Sequence, residues 1–122
     1  MPSNDLATVS DRIEKLLDRY RPELVDGTIY GVPALRWPGA TGHDYFVALK
    51  RNQRDVGLYL IIADRYPDDL AVASAELRAR RTGRATFSFR TLDDDLTAEL
   101  GALLDRLLVR YRAEHAGATT GG

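Results

Sequence analysis

The chain has no cysteine. That absence excludes disulfides, thiolate metal sites and a cysteine nucleophile. Histidine is nearly as scarce, with His43 and His115 the two present. They form no His-x-His or His-x-x-x-His pair of the kind a metal centre favours. Long apolar runs are also missing. Nothing approaches the ~18 consecutive apolar residues of a membrane span. The opening Met-Pro-Ser-Asn-Asp has neither the basic nor the apolar region of a secretory signal. A cytoplasmic location is expected, with no membrane partner. Gly27, Gly31, Gly39 and Gly42 are scattered over turns and a strand, and no Gly-x-Gly-x-x-Gly phosphate loop exists. No serine stands in a nucleophile elbow and no acid–base pair is evident. No catalytic residue is therefore assigned, and an enzyme is not expected.

What the chain does have is ordinary globular material. It has 122 residues, 44% hydrophobic and 29% charged, which suits one domain. A net charge of −1 gives no general attraction to nucleic acid. Locally the charge is uneven. Arg78, Arg80, Arg81, Arg84 and Arg90 cluster against Glu76, and Asp93, Asp94, Asp95, Glu99 and Asp105 follow. The Arg cluster is a candidate anion-binding patch, with Asp93 to Asp95 positioned to neutralise it.

Periodicity gives the elements. Leu6, Val9, Ile13, Leu16, Leu17 and Tyr20 recur at helical spacing, so residues 5–21 predict an amphipathic helix. Thr8 or Ser3 would cap it, and Pro22 and Gly27 mark its exit. Three strand-like runs follow, over residues 28–37, 44–50 and 55–62. The turns between them are short, which predicts an antiparallel meander. Pro33 cannot donate a ladder hydrogen bond, so the first strand is expected at an edge or with a bulge. Residues 67–81 predict a short helix, in two pieces, with Ser74 capping the second. Ala85, Phe87 and Phe89 alternate with Thr86, Ser88 and Arg90, the pattern of a strand with one buried face. A long helix is expected from about Asp93 to Glu114, its acids at the start and Arg106 to Arg112 at the end. A single domain over residues 1–116 with a disordered tail, 117–122, follows.

The expected fold class is α+β, in the order α-β-β-β-α-β-α. The N- and C-terminal helices share one face of an antiparallel sheet. Tyr30-Gly31-Val32-Pro33, Asp55-Val-Gly-Leu-Tyr59 and Gly83-Arg-Ala-Thr-Phe-Ser-Phe89 together resemble the YdhG-like family of small bacterial proteins over about residues 9–112. Val32 stands where that family usually has Met, and Arg84 where it usually has Lys. The resemblance implies a frataxin-like fold and, for some members, handling of intracellular iron.

Two surfaces are candidate sites. Asp11, Glu14 and Asp18 fall on one helical face, opposite the apolar stripe. Carboxylates so spaced suit a hard cation, and the resemblance implies weak iron binding by such an acidic first helix. Lys15 and Arg19 nearby, and the frequency of solvated helix faces, favour a structural reading. The second surface is the helix-free sheet face, where Tyr30, Arg36, Tyr59, Thr86, Ser88 and Arg90 fall in register. Aromatics with Arg on a flat surface suit a protein or small-ligand partner. Alternatively, the 67–81 segment folds across and covers them.

Overall fold

The computed structural model describes residues 6–21, 23–40 and 44–120. Ser3, Pro22, Thr41, Gly42, His43 and the last two glycines lie outside these residues. Helix α1 is Leu6–Asp18. Its stripe buries Val9, Ile13 and Leu17, with Tyr20 just beyond the helix. Thr8 lies inside the helix, so it is not the cap.

The run over residues 28–37 is not one strand. Strands β1 (Val25–Ile29) and β2 (Val32–Arg36) form a hairpin closed by the Ile29↔Val32 pair, with Tyr30 and Gly31 as its loop. Both loop residues have positive φ, 53° and 77°. That is the mark of a type I′ loop, whose twist matches the flanking strands. Glycine adopts it freely, whereas an L-residue with a side chain loses roughly 1–2 kcal/mol there.

Strands β3 (Val47–Arg51), β4 (Val56–Tyr59) and β5 (Thr86–Phe89) complete a five-stranded antiparallel sheet in the order β1-β2-β3-β4-β5. β2 is therefore internal, and the edge position expected from Pro33 is corrected. Proline is tolerated because the β2–β3 ladder is Ala34↔Ala48 and Leu35↔Val47, beginning after it. The third apolar run also ends early. It leaves the sheet after Tyr59, and Ile61–Arg65 forms helix α2. A short apolar run is compatible with either state.

Helices α3 (Pro67–Ala71) and α4 (Ala75–Arg78) are the two expected pieces. Ser74 caps the second, its Oγ accepting the Leu77 N–H at 3.2 Å. Helix α5 is Asp94–Thr120, and Asp93 caps it by accepting the Leu96 N–H at 2.8 Å. It runs past Gly117, where the sequence suggests a tail. Among the described residues no helix is long and apolar enough to cross a membrane.

Alternation along the strands puts Leu35, Val47, Leu49, Val56, Leu58, Phe87 and Phe89 on one face, in a single core with α1 and α5. Ile62, Ala63, Leu70 and Leu77 join that same core, and α2, α3 and α4 all pack against α5. The helical segment thus lies on the helix side and does not fold across the opposite face. The fold is α+β, with both terminal helices on one sheet face.

Leu104 is fully buried in this layer. Leu104→Ala is expected to destabilise the protein by about 2–5 kcal/mol, read by urea denaturation. A loss below about 0.5 kcal/mol would displace α5 from the centre of the core.

Candidate functional site

The acidic face of α1 is largely paired. Glu14 meets Arg51 of β3 at 3.0 Å. Asp18 meets Arg21, which also holds Asp26 at 2.9 Å. Asp11 borders a groove of about 300 Å³ with Leu6, Ala7, Ser10, Arg51, Asn52 and Val56. The Ser10 hydroxyl is buried there and has no hydrogen-bond partner among the described residues. Among the described residues, no three His, Asp or Glu side chains gather as a metal ion would need. The spacing that aligns the three carboxylates along α1 also presents two of them to guanidinium groups.

The Arg cluster is dispersed. Arg78 donates to the Ala73 carbonyl at 3.2 Å. Arg81 donates to the Gly83 and Arg84 carbonyls and reaches Asp64 at 3.5 Å. Ser88 N–H donates to the Arg80 carbonyl at 2.8 Å, so this segment closes the outer edge of β5. Of the acids that follow, Asp93 caps α5 and Asp94 pairs with Arg12 at 2.9 Å. Arg110 and Arg112 sit within α5, not at its end. They hold Asp69 and Glu23.

A constellation that sequence spacing does not reveal joins α5 to the β2–β3 connection. His115 Nε2 lies 2.8 Å from Asp44 Oδ2, and its Nδ1 lies 3.0 Å from the Tyr111 carbonyl oxygen. Tyr111 Oη donates to Asp44 Oδ1 at 3.0 Å and accepts the Trp37 N–H at 3.1 Å. The Trp37 ring stacks on the imidazole at 4.8 Å. Burial first, with Asp44 adding to it, pushes the Tyr111 hydroxyl pKa up, against the Trp37 N–H. A His–Asp–Tyr set invites a catalytic reading, but both imidazole nitrogens are engaged within the protein. A general base needs one directed at substrate.

The helix-free sheet face carries its own small cluster. Ile29, Ala34, Tyr45 and Ala48 are buried, with Val32, Tyr59 and Ile61 packed against them. Burial, then the nearby Tyr30 and Tyr59 hydroxyls, push the Tyr45 phenol pKa up. The face is thus sealed by its own side chains. Around that cluster lie cations. Arg36 crosses Gly27, where an added Cβ would lie 2.7 Å from its Cδ, and its Nη1 donates to the Thr28 carbonyl at 2.7 Å. Lys50 and Arg90 are exposed. Of the sequence-predicted partner residues, Tyr30 is 81% exposed, and Tyr59, Arg36, Thr86 and Ser88 are half-buried. The register brings Tyr59 opposite Thr86, and Lys50, Gly57 and Ser88 into one row. Ser88 Oγ donates to Asp55, which also accepts from Asn52.

Comparison with protein-family models, curated proteins and solved structures finds no match for this chain.

The Asp55 carboxyl is held below its usual range by the Ser88 hydroxyl, then the Asn52 amide. A depressed folded value adds stability above the ordinary carboxylate range, about pH 4. That stability is lost as pH falls through the depressed value. Ser88→Ala should lower stability at neutral pH and make the acid limb of the stability–pH curve shallower. Denaturant titrations across that limb, unchanged by the substitution, would remove the hydroxyl from this role.

Proposed function

We propose that this protein is a non-enzymatic binding module whose working surface is the helix-free sheet face. Its fold is read as YdhG-like and frataxin-like, which the element order supports. The single observation that carries the proposal is Tyr30. A tyrosine occupies a left-handed position of the hairpin loop while 81% exposed. Asn or Gly would satisfy that backbone at lower cost, and burial returns little to so exposed a ring. Strain of this kind, held at a surface, points to function. Arg36, Lys50 and Arg90 ring the tyrosine cluster, and Asp55 beside them is already engaged by Ser88 and Asn52. The fitting partner is another protein with an acidic contact surface, anchored by aromatic and Arg contacts.

Iron handling, implied by the family resemblance, is the second reading. Asp11, Glu14 and Asp18 would be its ligands, and the pairing of Glu14 with Arg51 and of Asp18 with Arg21 weakens it.

Tyr30→Asn is expected to raise stability by about 1 kcal/mol while weakening partner binding, a trade of stability for function. Affinity retention from cell extract, with mass-spectrometric identification, should recover the same acidic species with the unmodified protein and with the Asp11→Asn, Glu14→Gln, Asp18→Asn triple variant. Lys50→Glu with Arg90→Glu should lose it. Equal retention by the charge-reversed face would overturn the proposal. Ferrous-iron calorimetry that gives binding lost only in the α1 variant would move the second reading to first place.

A further inference from the structure

Ser10 is the one buried polar residue among the described residues, 2% exposed. A serine inside a helix can turn its hydroxyl to the carbonyl four residues back, here that of Leu6. Ser10 does not: its Oγ makes no hydrogen bond among the described residues. A buried hydroxyl of this kind has lost its water and gained nothing in return. Such groups are rare in native proteins, and each calls for a reason. Ser10 lines the groove between α1 and the β3–β4 turn.

The other polar groups of the groove carry both signs of charge. Asp11 borders it on the α1 wall, and its carboxylate has no cation partner among the described residues. Arg51 borders it on the strand wall, at the end of β3. Glu14 engages Arg51 Nη2 at 3.0 Å, which orients the guanidinium and leaves the Nη1 and Nε hydrogens to donate. Asn52 comes next in the turn. Its Nδ2 donates to Asp55 at 2.8 Å, so its Oδ1 is the end left to accept. Leu6 and Val56 make the apolar part of the lining. A volume of about 300 Å³ stands at the small end of ligand sites, roughly 300–1,000 Å³.

We propose that this groove, with Ser10, Asp11, Arg51 and Asn52 as its polar contacts, binds a free aliphatic α-amino acid. The ligand carboxylate meets the Arg51 guanidinium in a charge-assisted contact, and the Ser10 hydroxyl donates to the same carboxylate. The ammonium donates to the Asp11 carboxylate and to Asn52 Oδ1. The aliphatic side chain lies on Leu6 and Val56. Each ligand charge thus meets its opposite. A simple carboxylate would bring a like charge to Asp11, and a simple amine would bring one to Arg51, so the site discriminates against both. This site does not rest on the partner-binding sheet face proposed above.

Calorimetric titration of the unmodified protein with millimolar L-leucine should give saturable, one-site binding. Isocaproate lacks the ammonium and isopentylamine lacks the carboxylate; each should bind about tenfold more weakly or worse. Asp11→Asn and Arg51→Gln should each lower the affinity for L-leucine about tenfold. Their thermal midpoints should stay close to that of the unmodified protein, because exposed charges contribute little to stability. Ser10→Ala separates a ligand contact from a packing role. It should weaken L-leucine binding and raise the midpoint of the ligand-free protein, because it removes a buried hydroxyl that has no partner. Three results would each overturn the proposal: no saturable binding of L-leucine, equal binding of either single-charge analogue, or a Ser10→Ala variant that binds as tightly or melts lower.

Discussion

A five-stranded sheet has to bury at least one face, and here α5 is the surface that buries it. Leu100, Leu103, Leu104, Leu107 and Tyr111 are fully enclosed between this helix and the strands. Every other helix takes its position from α5, since α1, α2, α3 and α4 all contact it. The ion pairs follow the same plan. Arg12 reaches Asp94, Arg19 reaches Asp105, Arg110 reaches Asp69, Arg112 reaches Glu23 and Arg65 reaches Glu114. Each ties another segment to α5. Exposed pairs of this type contribute little individually. Their consistent direction fixes orientation around a layer that apolar burial already holds.

The helices are gathered on that side, and the opposite sheet face is covered by its own side chains together with Tyr45 and with Ile61 at the start of α2. Ala34 and Ala48 are small enough for Tyr45, Tyr59 and Ile61 to lie over them. The far layer is therefore one side chain thick. That thinness makes the face both a seal and a surface. The rings that protect the alanines are the same rings that a partner would meet.

Much of this was legible in the residues. The α1 and α5 stripes, the alternation of Phe87 and Phe89, and the Ser74 cap are local patterns, and local patterns survive into the fold. Two misreadings have local causes as well. Tyr-Gly is not the Asn-Gly or Asp-Gly pair that announces a two-residue hairpin, so β1 and β2 read as one strand. The unbroken apolar run from Val56 to Ala63 hid the change from β4 to α2, because burial on both sides suppresses alternation. The surroundings of the α1 carboxylates were hidden for a different reason. Periodicity places Glu14 and Asp18 on one face, but their partners Arg51 and Arg21 arrive from the tertiary arrangement. The Asp44–His115 contact spans a sequence separation of 71 and carries no periodic signal at all.

The distribution of unsatisfied chemistry then separates the two sides of the molecule. On the helix side, polar groups close on one another. Tyr20 donates to Asp105, Tyr66 to Glu114, and Tyr111 to Asp44. Each phenol there gives its hydroxyl hydrogen to a carboxylate. Tyr30 is treated in the opposite way. It is set at a hairpin tip, in a backbone region that disfavours it, with most of its ring in solvent. In the proposed reading, a side chain that costs the loop stability and regains little by burial is the one a partner contacts.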